Sequence, residues 1–271
     1  MKKIFNLTIM VVMLSNVCKA QNDTAAIIKD FNKVVAFFEK PFVYYTCTSY
    51  LTAQPVLVAS DTMRSNSVFY KSAQSYYLQQ LQQEYYIQDS FMIEINNDKK
   101  TIWVSKIDEG SKQKLSILPL SNKDLQAVIR NNYAIAQQKL DAQHQKITFD
   151  MKDEYAAYTS TKMNISLTYD SRTYLPNAFE LNVQFKKSID DEGIQQLRDD
   201  GLDTQQLVQQ IGDNKFLLRT QQMKVIFNTI AFEKNTVAAI PDWTTVLTFQ
   251  QNENSFIAKG KYSSYEITQT F

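Results

Sequence analysis

Two nearby segments, "KMNISLTYD" and "AFELNVQFKK", alternate apolar and polar side chains without a break. In the first, Met163, Ile165, Leu167 and Tyr169 share one parity. In the second, Phe179, Leu181, Val183 and Phe185 do, with Glu180, Asn182, Gln184 and Lys186 opposite. A helix repeats every ~3.6 residues and would scatter these side chains around its circumference. An extended chain puts one parity on a dry surface and the other in water. "SRTYLPN" between them carries turn residues, so the pair reads as an antiparallel hairpin with one buried face.

Other segments have the same character. "FVYYTCTSYL" (Phe42 to Leu51) is β-branched and aromatic and ends before Pro55. Short strands are expected around Val68 to Lys71, Tyr76 to Leu81, Tyr85 to Ile95 and Thr101 to Ile107. In the stretch from Tyr85, the residues Tyr85, Ile87, Phe91, Ile93 and Ile95 fall on one parity, which predicts an inward row, with Tyr86, Gln88, Ser90, Glu94 and Asn96 outward and Met92 the exception. "INNDKKT" is a turn and "TIWV" opens the next strand. Further strands are expected at Gln221 to Phe232, Thr244 to Phe249, Phe256 to Tyr262 and Tyr265 to Phe271.

Helical spacing is confined to a few places. From Asp23, an N-cap residue, Ile27, Phe31, Val34, Val35 and Phe38 mark one face, and Lys40-Pro41 ends it. A second helix is expected from Ser121, with Asp124 completing a capping arrangement and Leu125, Val128, Ile129, Ile135, Ala136 and Leu140 facing inward. The acidic, glutamine-rich segment 188–214 reads as an insertion of two short helices stopped by Gly201 and Gly212. The fold class is therefore α+β, mainly antiparallel β. It is a curved sheet or incomplete barrel covered by an N-terminal helix and a mid-chain helix.

The first residues bear on location. Lys2 and Lys3 precede an apolar run from Ile4 to Leu14 that is short for a membrane span, and Cys18 and Ala20 hold the small-residue positions before a cut. Residues 1–20 read as a cleavable signal peptide and 21–271 as one β-rich domain; two lobes, 21–120 and 121–271, are the alternative organisation. The product would be exported, periplasmic or envelope-associated. Lipidation at Cys18 is a second possibility, against which Ser15-Asn16-Val17 departs from the usual lead-in. With 29 basic and 28 acidic residues in the chain, no basic footprint for nucleic acid exists. Cys47 is left without an intrachain disulfide partner once Cys18 is removed, and its strand context suits a packed small residue.

Reactive constellations are sparse. One histidine, His144, excludes any site that needs two. No glycine-rich phosphate loop or nucleophile elbow occurs. Asp190, Asp191, Glu192, Asp199, Asp200 and Asp203 could offer oxygen ligands, but their spacing fits no calcium loop, and a solvated face explains them. Asp150, Asp153 and Glu154 cluster near a strand end without a pattern that marks acid–base work. No cofactor, metal or catalytic residue is assigned, and an enzyme is not expected.

The segments "VFYKSAQSYYLQQLQQEYYIQDSFMIEINNDKKTIWVSKID" and "KMNISLTYDSRTYLPNAFELNVQF", behind a leader and an amphipathic helix, resemble in pattern the periplasmic lipoprotein carriers of the LolA/LolB-like half-barrel superfamily. The likeness covers about half of the chain. Arg64 is a loose match to that family's early arginine, and Asn96-Asn97-Asp98 replaces its glycine-bearing turn. The resemblance implies an incomplete barrel whose hollow takes acyl chains. On that reading Phe91, Ile93, Trp103, Ile165, Leu167, Leu181 and Val183 would line the hollow, and the partner is an acyl chain or another apolar ligand. The alternatives are an envelope scaffold that binds a protein partner and has no cavity, and, third, a hydrolase using His144 or the Asp150 cluster.

Overall fold

The computed structural model describes residues 24–73, 75–88, 91–107, 129–237, 241–253 and 255–270. The first helix, α1 (Thr24–Val35), buries Ile27, Phe31, Val34 and Val35, the expected stripe. A short 3-10 turn, Ala36–Glu39, carries the chain into the sheet. The strands that follow are β1 (Val43–Gln54), β2 (Thr62–Lys71), β3 (Ser75–Gln80), β4 (Gln83–Gln88), β5 (Phe91–Asn96) and β6 (Thr101–Lys106). Next come β7 (Tyr133–Lys139), β8 (His144–Met151), a helix α2 (Asp153–Thr159), β9 (Thr161–Asp170) and β10 (Pro176–Ser188). The acidic segment gives α3 (Asp191–Asp199), α4 (Thr204–Leu207) and β11 (Val208–Ile211). The long β12 (Asn214–Ala231), then β13 (Leu247–Gln250), β14 (Ser255–Ala258) and β15 (Glu266–Thr270) complete the order.

One curved sheet takes all strands but β13 and β14, in the spatial order β15-β6-β5-β4-β3-β2-β1-β12-β10-β9-β8-β7, with β11 beside β12. Pairing is antiparallel except between β15 and β6. The edge strands β15 and β7 do not pair with each other, so the sheet stays open. The β9–β10 hairpin is the one read from alternation, with Leu181 opposite Ile165 and Phe179 opposite Leu167. Directly opposed residues of an antiparallel pair share a face, and this register carries each face across the sheet.

The two faces bury different halves. On one face α1 covers a core built from Tyr45, Phe69, Ile147, Phe149, Ile165, Leu167, Tyr169 and Phe179. Phe31 meets Phe149 edge-on at 5.0 Å, and Tyr45 stacks on Phe69 at 4.8 Å. Lys33 fixes the helix by donating to Tyr174 Oη at 2.8 Å and to Asp30 at 2.9 Å. On the opposite face, Tyr70, Tyr77, Tyr86, Ile93, Ile95, Ile102 and Val104 pack beneath Val246, Leu247, Phe256 and Tyr262 of the C-terminal segment. Each such buried side chain contributes about 1.5–3 kcal/mol of transfer free energy, so both covers are held by apolar burial.

Three expectations need correction. Residues 133–139 form β7, not the continuation of a mid-chain helix: of the described residues in that stretch 129–132 are helical, and Ile135 and Ala136 pair with Phe149 and Thr148. Ser121, Asp124, Leu125 and Val128 lie outside the described residues, as do Asp23 and the leader. The stretch Tyr85 to Ile95 is not one strand either. It is the hairpin β4–β5, in which Gln88 opposes Phe91 and Tyr86 opposes Ile93. A two-residue reversal makes even numbers of one strand share a face with odd numbers of the next. Tyr85 and Ile87 therefore lie on the helix face, and Phe91, Ile93 and Ile95 on the hairpin face. Gly201 follows α3 with φ +78, as a helix stop should. Gly212, with φ +59, turns β11 into β12 instead of ending a helix.

Candidate functional site

The register sets out rows of side chains on the helix face. One row runs Phe149, Ile165, Leu181, Met223, Leu51 and Met63, across β8, β9, β10, β12, β1 and β2. Six strands at ~4.8 Å spacing make a track about 24 Å long. Phe149 and Ile165 are buried at one end, whereas Leu181, Met223, Leu51 and Met63 are only partly buried. The neighbouring row is Ile147, Leu167, Phe179 and Val225, followed by Ser49 and Ser65. On the other side lie Met163, Val183, Gln221 and Ala53. Unbranched methionines adapt to irregular apolar partners.

Beyond this track the helix face meets Arg219, opposite Phe185 on β10. Its guanidinium pairs with Asp61 at 2.9 Å, both side chains being largely buried. Asp61 also accepts from the backbone of Leu57 at 2.7 Å and Val58 at 3.1 Å. The Leu57 amide first, and then Arg219, hold its carboxyl below the usual range. A groove of about 420 Å³ opens beside it, lined by Ala156, Ala157, Phe185, Leu218 and Arg219 between α2 and the strand ends. A second groove, about 580 Å³, lies at the ends of β3 and β4 and is lined by Tyr70, Tyr76, Tyr86, Ile87, Lys234 and Trp243.

The seven residues expected to line one hollow are divided by the sheet. Ile165, Leu167, Leu181 and Val183 sit together on the helix face. Phe91 and Ile93 belong to the opposite core, where Phe91 meets Trp243 edge-on at 5.1 Å and Ile93 is fully buried. Trp103 is on the helix face but far from the four, opposite Glu94, and 52 % exposed. Arg64 is exposed on the hairpin face, its guanidinium 5.6 Å from the Tyr50 ring.

The groups considered for catalysis have local partners. His144 Nδ1 lies 2.8 Å from Asp141, whose carboxyl is held down to about 2 by that contact and by the Gln143 and His144 amides. Asp150 accepts from Asn164, and Asp153 pairs with Lys162 at 2.6 Å. No group of three or more candidate metal ligands occurs among the described residues. No helix there is long and apolar enough to cross a membrane.

Sequence reasoning missed Glu84. Its carboxylate, 4 % exposed, accepts from Tyr262 at 2.9 Å, Asn97 at 3.1 Å, Tyr77 at 3.2 Å and Tyr86 at 3.3 Å. Burial pushes the carboxyl up, but Asn97, Tyr262 and Lys261 outweigh it and hold it below the ordinary value. The only available signal was that Glu84 and Tyr86 share a parity, which counts as inward once the reversal after Gln88 is recognised.

No protein-family model and no curated protein matches the chain. Among the solved structures similar to it are the following two. A DUF1329 family protein from Desulfovibrio piger aligns over 84 % of this chain and 99 % of its own, at 10 % identity and a TM-score of 0.30. A LolA superfamily protein from Nitrosomonas europaea aligns over 77 % of this chain and 98 % of its own, at 6 % identity and a TM-score of 0.27. The open half-barrel itself is evident from the strand order and register above.

Proposed function

We propose that this chain is an exported, non-enzymatic carrier that lays an acyl chain, or a ligand of similar apolar length, along the helix face of its open sheet. The supporting observation is the row Leu181, Met223, Leu51 and Met63: contiguous apolar side chains that the fold leaves partly uncovered. An apolar strip of this kind, long and narrow, suits a ligand of the same shape. Of the seven liners first expected, Ile165, Leu167, Leu181 and Val183 remain in this proposal, and Met223, Leu51 and Met63 replace the other three. Export by the leader 1–20, a single mature domain 21–271 and a periplasmic or envelope-associated location belong to the same reading. The local partners of His144, Asp150 and Asp153 support a non-catalytic role.

Protein purified from its own host should release stoichiometric lipid on extraction, seen as a mass increment by native mass spectrometry. Leu181→Asp places a carboxylate in the middle of the track, and the increment should vanish while the circular dichroism spectrum is kept. A wild-type protein that arrives without lipid and takes up no fluorescent acyl probe overturns the proposal.

A further inference from the structure

Where the second row crosses from β12 to β1 and β2, its large side chains give way to small ones. Cys47 opposes Ser67, and Ser49 opposes Ser65, so four small residues form a block on the helix face. Phe227 and Val225 border it on β12, and Tyr45 with Phe69 and Leu51 with Met63 border it along the strands. The hydroxyls of Ser49 and Ser67 lie beside the Cys47 thiol. Ser65 is 4 % exposed, and its Oγ has no hydrogen-bond partner.

A desolvated hydroxyl without a partner is a cost to the ligand-free fold, and natural interiors rarely keep one without a role. This one stands on the helix face beside Met63 and Leu51, at the β1–β2 end of the partly uncovered track where the acyl chain is placed. An apolar ligand lying along that track with its tail over Leu181 and Met223 brings its head to Leu51 and Met63. The head then lies next to the block of small residues, where the unused donor is. We propose that Ser65 Oγ donates a hydrogen bond to a carbonyl oxygen at the head of the bound acyl chain, so the site selects fatty acyl esters or acids over plain hydrocarbon. This rests on the carrier reading and fixes the direction in which the ligand lies.

The test compares two probes on the full mature chain: the methyl ester of pyrenyl-dodecanoic acid, which keeps the carbonyl without a charge, and dodecylpyrene, which lacks it. Wild type should bind the ester more tightly. Ser65→Ala should weaken the ester about fivefold, the worth of one net hydrogen bond, and leave dodecylpyrene unchanged. The thermal midpoint of ligand-free Ser65→Ala should equal or exceed that of wild type, since the substitution removes an unsatisfied group. Equal ester affinity in the two proteins, or a lower midpoint in the variant, overturns the assignment of Ser65 and leaves the carrier standing. Wild type that binds neither probe overturns the carrier reading, and the Ser65 assignment with it.

Discussion

Glu84 has a cost and a compensation that can be measured separately. A carboxylate taken out of water is expensive unless its lone pairs are filled, and three tyrosine hydroxyls and the Asn97 amide fill them. Glu84→Ala leaves those donors facing a void and should cost about 3 kcal/mol in urea unfolding, from one unsatisfied cluster and a small cavity. The pH dependence carries a sign. Because the folded carboxyl lies below its unfolded value, its contribution is fully present above the unfolded range and is lost as pH falls through the folded one. Wild type should therefore lose stability on acidification through the carboxylate range more steeply than Glu84→Gln. Equal slopes would mean that the carboxylate is not stabilised in the folded state. Sequence alone could not single out this residue. A glutamate between glutamine and tyrosine, "QQEYY", has the composition of a wet strand face, and only a cover supplied from Tyr262, far along the chain, makes its side inward. Ser65 was equally hidden, because a serine on a strand advertises neither burial nor a missing partner.

Elements were legible where periodicity was long and uninterrupted. The β9–β10 hairpin and α1 each repeat their pattern over several turns or pleats, and the structure places the same residues inward. Residues 133–139 fail for a physical reason. "YAIAQQK" is rich in alanine and glutamine, which favour helix in isolation, but pairing with β8 overrides that preference. A proline pair distinguishes the two states. The bonds from Leu140 N to His144 O and from Lys152 N to Asn132 O make even-numbered residues of β7 the ones that bond to β8. Gln138→Pro removes a ladder donor, whereas Lys139→Pro, also at an exposed position, does not. Gln138→Pro should be less stable than Lys139→Pro by about 2 kcal/mol in chemical denaturation. In a helix the two would be equally damaging, so equal losses would contradict the strand.

At the scale of the molecule, one sheet serves two cores, and this arrangement the sequence did not reveal. Counting parity gives which residues share a side within a strand, but not which side of the sheet a later segment returns to cover. The expectation of a single hollow failed for that reason: Ile93 and Ile165 are both inward-facing, toward opposite covers. The division has a dynamic consequence. The core under the C-terminal segment is held by Tyr262, Phe256, Val246 and Leu247 against β3 to β6, whereas the core under α1 draws on β8, β9, β10 and β1. Elements with separate apolar contacts can open separately. Tyr262→Ala removes a ring and a hydroxyl from the first core only, and should speed amide exchange in β13 to β15 and in β4 to β6 by well over tenfold. The amides of β8 and β9 should be unchanged. Phe31→Ala, whose ring packs on Phe149, should do the reverse, exposing β8 and β9 while the C-terminal hairpin stays protected. If either substitution instead raises exchange evenly along the chain, the two covers unfold as one unit, and a ligand on the helix face would then have to stabilise the far core as well as its own.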